Sequence, residues 1–256
     1  MFQKMMTGAL IAGIGAGLLA AVLHFAFIQN YILLGEQYET GELVHFAAPE
    51  AAVATHDHAE AADHGTAEPA ASDHGAADHG AHEHGDGETS TIERNALTVG
   101  FTVLLYVAYG IMLTVGFAIA AQFGKRITAT EGALWGLAGF AAFQLAPGMG
   151  LAPELPGSAA ADLAARQVWW WSTVVATGLG IALIAYGRSL IATLAGAALI
   201  AAPHVVGAPL LDGYYGYAPT EVGAIFSSRV LGVGLAVWVV LGWLAGRQWD
   251  RSGAAA

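Results

Sequence analysis

Seven histidines fall between residues 56 and 84: His56, His58, His64, His74, His79, His82 and His84. They lie in the stretch HDHAEAADHGTAEPAASDHGAADHGAHEHGDGE, whose units ADHG, SDHG, ADHG and HEHG repeat imperfectly. Each unit sets an imidazole beside a carboxylate and follows it with a glycine that lets the chain turn. Neutral imidazole suits Co²⁺, Ni²⁺, Zn²⁺ and Cu²⁺, and several such ligands on a pliable chain make labile sites of low selectivity. The neighbouring Asp or Glu can add a ligand or hold the second ring nitrogen. By the usual affinity order the segment itself prefers Cu²⁺ and takes Ni²⁺ and Zn²⁺ at least as readily as Co²⁺. The physiological metal is therefore not written in this segment. The competing reading is a solvated acidic linker with incidental histidines, which this density of imidazole disfavours.

A second set of polar residues stands within or beside apolar sequence. His24 is followed by Gln29 and Asn30, His204 lies in APHVVGAP, and Arg229 lies inside the last apolar segment. Ionisable residues in a membrane span are costly and mark a pathway or a partner. Each has a plainer alternative: His24 can hydrogen-bond a carbonyl near a helix end, and His204 stands beside Pro203, which frees carbonyls of its own helix. Arg229 is read as neutralising an acid such as Glu221 or Asp212. Glu36, Glu39 and Glu42 in EQYETGE, and Glu154 in APGMGLAPELPG, are further oxygen ligands on the same side, with Arg166 near them. The prolines of 147–156 are expected to stiffen a shaped mouth above the bundle. The metal-ligating candidates are thus the seven clustered histidines, His24, His204, Glu36 and Glu39.

What must position these groups is a membrane protein. The chain is 56% hydrophobic and 11% charged over 256 residues, whereas a soluble domain is about 25% charged. Six apolar segments can be read, at 5–34, 96–121, 129–146, 168–186, 189–206 and 222–245, against the roughly 17–25 residues that span a bilayer. Segment 129–146 is marginal and ends at Pro147. Segment 189–206, interrupted by Pro203 and His204, reads as a span or as a re-entrant piece, so that five spans are the alternative to six. Residues 35–94 hold fourteen acids against one base, and the rest of the chain six acids against eight. The acidity belongs to the loop, and a net charge of −11 gives nucleic acid nothing to bind.

With six spans, Lys4, Lys125, Arg126, Arg188, Arg247 and Arg251 fall on one side and Arg94 and Arg166 in the loops of the other. Basic residues concentrate in cytoplasmic loops, which places both termini inside and the histidine loop outside the cytoplasmic membrane. The first segment has a basic start but no A-x-A followed by polar sequence, and is read as a span rather than a cleaved signal. The expected architecture is all-α: a first helix at 1–34, a disordered outer loop rich in His and acid at 35–95, a bundle of about five helices at 96–246 and a cytoplasmic tail at 247–256. Gly13/Gly17, Gly132/Gly136 and Gly242/Gly246 are pairs of the kind that let membrane helices approach closely. Trp169–Trp171 and Trp249 are read as interfacial belts. With no cysteine, disulfides and thiolate metal sites are excluded.

The segments LHFAFIQNYILLGEQYE, LAPGMGLAPELPG, RQVWWW and APHVVGAP, in this order around a variable His-rich loop, resemble the CbtA-type cobalt transporter subunits. The resemblance covers most of the membrane portion, and the proline turn with Arg166–Trp171 and the Pro203–His204 segment are its most specific parts. It implies cobalt as the cargo, a link to cobalamin synthesis, and a small single-span CbtB-type partner subunit. The family is described with five spans, one fewer than the six read here.

Three functions follow from these features: a transport component for a divalent cation, a membrane-anchored metal buffer or delivery protein without translocation, and a scaffold whose histidine loop binds a partner. Co²⁺ is the favoured cargo, with Ni²⁺ or Zn²⁺ as alternatives; besides the subunit partner, the reading allows a homo-oligomer. No G-x-x-x-x-G-K-[ST] loop is present, so ATP can act only through another chain. No H-E-x-x-H, G-x-S-x-G or organic-cofactor fingerprint occurs, and the expectation is that the chain is not an enzyme.

Overall fold

A computed structural model describes residues 2–45, 90–213 and 215–253. Of the loop expected to be disordered at 35–95, residues 46–89, with the seven clustered histidines, lie outside the described residues, while its ends belong to helices at 29–39 and from Thr91 onward. The described chain is built from helices arranged as six antiparallel legs. The first is α1 (Phe2–Phe27) with α2 (Gln29–Glu39), broken at Ile28, and the second is α3 (Thr91–Gln122). The third runs through α4 (Ala129–Phe140), a π turn at Ala141–Leu145, and α5 (Ala146–Gly150). The last three are α6 (Leu163–Tyr186), α7 (Leu190–Val206) and α8 (Thr220–Arg251).

Helices α1, α3, α6 and α8 are each long and apolar enough to cross a membrane. At 17 residues α7 is shorter, at the lower limit of a span; it is a continuous helix through Pro203 rather than a re-entrant turn. Large apolar side chains face outward along the legs: Phe101 is 69% and Ile191 81% exposed. Apolar surface of this extent is incompatible with water and suits lipid.

Contacts between legs fix which ends lie together. Gly8 faces Gln248, Lys4 and Trp249 line one crevice, Arg126 pairs with Asp250 at 3.6 Å, and the Lys125 ammonium sits 5.3 Å over the Tyr186 ring. Lys4, Lys125, Arg126, Arg188, Arg247 and Arg251 therefore share one end of the bundle. At the other end Gln29 donates to Asn95 at 3.3 Å, and Glu36 pairs with Arg94 at 3.6 Å. The charge alternation read from the sequence is the alternation of the legs.

Glycines set how closely the legs pack. Gly13 and Gly17 of α1 abut the backbone of Val107 and Val103 in α3, while Gly132 and Gly136 of α4 interlock with Gly242 and Gly246 of α8. Without a hydrophobic drive between helices in lipid, such close backbone approach supplies the dispersion contact that holds them. Around these seams Phe117, Trp238, Val237 and Leu241 are completely enclosed.

The tryptophans differ from the belt expected of them. Trp249 is buried and meets the Phe117 ring edge-on at 5.9 Å. Trp169 is buried and donates its indole N–H to the Pro203 carbonyl at 3.1 Å, Trp170 meets Phe143 at 6.0 Å, and Trp171 alone of the three is exposed. On a helix, three consecutive side chains point about 100° apart, so they cannot all face the same interface.

Candidate functional site

Pro147 has no amide hydrogen, and inside an α-helix its ring would collide with the carbonyl four residues earlier. The sequence reading ended the third leg there. Instead, one turn of π-helix precedes it, and the Ala146 amide reaches back five residues to the Ala141 carbonyl. The extra residue widens the turn, and the helix continues through a buried Pro147 to Gly150. Turns of this kind recur at functional sites. This one carries Gln144, a residue the sequence reading passed over although an amide in an apolar span, three residues before a proline, was a usable signal.

The Gln144 side-chain oxygen is buried and has no hydrogen-bond partner among the described residues. It rests against Gly234 of α8, where any Cβ would collide with the amide. Beside it opens a cavity of about 420 Å³ between the π turn, α5, α6 and α8. Phe143, Trp170 and Leu231 form its apolar walls, Gln144 and Gln167 bring amides, and Glu154 and Arg166 stand in its lining. Its position is the end of the bundle opposite the basic cluster.

The mouth is held by several independent ties. Arg166 donates to Glu154 at 3.0 Å, joining α6 to the loop that follows α5. Ser227 of α8 donates to the Pro153 carbonyl at 2.6 Å. Leu155 is buried with Ile28 and Phe226, and Ser158 forms an isolated antiparallel bridge with Gly216. The shaped mouth expected from the prolines is present, but it comprises residues 151–162 rather than starting at Pro147.

The other sequence candidates are distributed around this end. Glu36 is engaged with Arg94, and Glu39 lines a separate cleft with Tyr215 and Tyr217. His24 is half-buried in the last turn of α1, its ring edge-on to Phe25 at 5.6 Å. His204 is half-buried and lies edge-on to Trp169 at 6.1 Å. The two histidines stand on helices with different main packing partners, α1 against α3 and α8, α7 against α6. Among the described residues, no three His, Asp or Glu side chains gather as a metal site.

Arg229 differs from its expected role as the partner of an acid. At the break after Phe27 the Tyr31 amide bonds to the Ile28 carbonyl at 2.9 Å. The Phe27 carbonyl is left for another donor, and Arg229 supplies one at 3.3 Å with its guanidinium 4.8 Å over the Tyr31 ring. Arg229 closes the kink of the first leg.

Apolar legs long enough to cross a membrane, packed as a bundle, define an all-α polytopic membrane protein. The chain belongs to the CbtA family: the family model described as "Probable cobalt transporter subunit (CbtA)" matches residues 2–250. As a member it is a cobalt transporter subunit by family, and the word subunit implies a partner chain. No curated protein and no solved structure matches it.

Proposed function

We propose that this chain is the membrane subunit of a divalent transition-metal uptake system, with Co²⁺ destined for cobalamin supply as its cargo, and that the cavity beside Gln144 is the outer entrance to its route. The observation that carries this reading is a largely apolar cavity bearing the Gln144 and Gln167 amides and the Glu154–Arg166 pair, at the loop end of a bundle whose family is that of cobalt transporter subunits. The bundle lies in the cytoplasmic membrane with its basic end inside and its histidine loop outside, by the preference of Lys and Arg for cytoplasmic loops. A small single-span CbtB-type chain is the partner the reading expects, and no step of the reading calls for enzymatic chemistry.

The two parts divide the work by ligand chemistry. With Arg166 bonded to Glu154, the mouth carries little net charge to attract a cation, whereas His56, His58, His64, His74, His79, His82 and His84, beside their acids, supply it nearby. The cavity offers amide oxygens, which hold first-row metals weakly compared with imidazole. A route must bind well enough to admit an ion and weakly enough to release it. His24, His204, Glu36 and Glu39 are proposed as accessory ligands around this end.

Uptake of radioactive cobalt by cells carrying this chain and its partner tests the division. Deleting 55–87 should lower uptake at scarce cobalt about tenfold and leave it intact at abundant cobalt, because the loop raises local concentration without forming the route. Its contribution should fade below about pH 6.5, where imidazoles protonate and stop binding metal. His24→Gln and His204→Gln should reduce uptake only at scarce cobalt. Uptake unchanged by the deletion at every concentration would remove the loop from the mechanism. A cysteine at Ser90 should react with an impermeant maleimide in intact cells and one at Ser252 only after lysis; the reverse would invert the topology.

A further inference from the structure

At the basic end a second cavity, of about 830 Å³, opens between α3, α4 and α6. Its walls are apolar: Ile119, Trp135, Ala138, Gly178, Ile181 and Ala182. Toward the loop end α6 is tied to the third leg, where Phe143 meets Trp170 at 6.0 Å. Below that roof the two helices diverge, and a Cβ on Gly178 would meet nothing within 4 Å. Lys125 and Arg126 stand at its open end, with Glu131 beside them. That acid already accepts from the Thr128 amide at 3.1 Å as part of its helix cap. Arg126 lies 3.6 Å from Asp250 in an exposed ion pair, which is weak in water, and among the described residues the Lys125 ammonium is set over the Tyr186 ring.

We propose that this crevice is a site for an anionic phospholipid, one acyl chain filling the crevice and the phosphate at Lys125 and Arg126. An apolar gap at membrane depth fills with whatever in the bilayer can enter it. The closed roof decides what can. A transmembrane helix ending beneath Phe143 and Trp170 would leave its terminal backbone groups unpaired in an apolar setting, which membranes do not tolerate. An acyl chain ends in a methyl group and has nothing to satisfy. The basic pair then selects the headgroup, as basic pockets between membrane helices do for anionic lipids. Transport plays no part in this argument, so its failure and that of the uptake reading are separable.

The test uses the full chain in phosphatidylcholine vesicles with a small fraction of lipid brominated on its acyl chains, which quenches nearby indoles. Trp135 lines the crevice, and its share of the signal is the difference between the wild type and Trp135→Phe. That share should favour brominated phosphatidylglycerol over brominated phosphatidylcholine by roughly five- to thirtyfold. Lys125→Gln with Arg126→Gln should equalise the two lipids, and Gly178→Leu should abolish quenching by both. If Trp135→Phe fails to fold, native mass spectrometry of the wild type and the Lys125→Gln, Arg126→Gln variant reads the same preference as retained phosphatidylglycerol. Equal response to the two lipids in the wild type overturns the proposal. So does a second polypeptide that shields Trp135 and is lost with Gly178→Leu.

Discussion

Gly242→Ala should destabilise the bundle by about 3 kcal/mol or more, the upper end of the cost of overpacking a filled interface. A Cβ there would stand 2.7 Å from both the Cα and the amide nitrogen of Gly136. Neither neighbour is a side chain that can swing away; both are helix backbone. Relief requires α4 and α8 to part, and parting them loosens the enclosure of Trp238 and Leu241. Gly100→Ala is the matched control. It is also helical, but a Cβ there meets nothing within 4 Å, and the higher helix propensity of alanine leaves it neutral or up to about 1 kcal/mol more stable. Thermal unfolding of the purified chain, followed by loss of its monodisperse peak, measures both. Equal effects at the two positions would show that the glycine seam does not hold the legs together.

The seam was legible because its rule is local: small residues four apart on an apolar helix make a flat strip, and the membrane gives such strips a use. The strips Gly132/Gly136 and Gly242/Gly246 even prove to be partners. The basic asymmetry was legible for a similar reason, since each charge needs only its own loop to be placed. What was illegible depended on residues far away in sequence. Whether Trp169 faces lipid or the protein is decided by Pro203, 34 residues later. The role of Arg229 follows from a kink 202 residues earlier, at an Ile28 that carries no proline or glycine to announce it. Pro147 reads as a helix end because α-helical geometry rejects it; the π turn that accommodates it also needs Gly234 on another leg to leave room for Gln144. The cavity, lined by the π turn, α5, the loop after it, α6 and α8, has no signature in any one of them.

Gly148→Phe should cut cobalt uptake at least tenfold while leaving the folded chain in the membrane. Gly148 lines the cavity, and a Cβ on it would approach a Leu231 methyl at 3.4 Å, an ordinary contact, so the backbone accepts a side chain at this position. The aromatic ring, on a residue that lines the cavity, is expected to fill it. Gly148→Ala adds only the tolerated atom and should transport normally, which separates occlusion from any effect on the helix. A buffer that binds metal without moving it would retain cell-surface cobalt equally in all three forms. An entrance would keep surface binding by the histidine loop and lose internal cobalt in the phenylalanine variant alone. Measuring bound and internal cobalt separately, by washing cells with a chelator that does not cross the membrane, distinguishes the two. Should Gly148→Phe fold normally and still fill the cell with cobalt at the wild-type rate, the cavity beside Gln144 is not the route. The cation must then enter along another face of the bundle, with the Glu39 cleft the next place to plug.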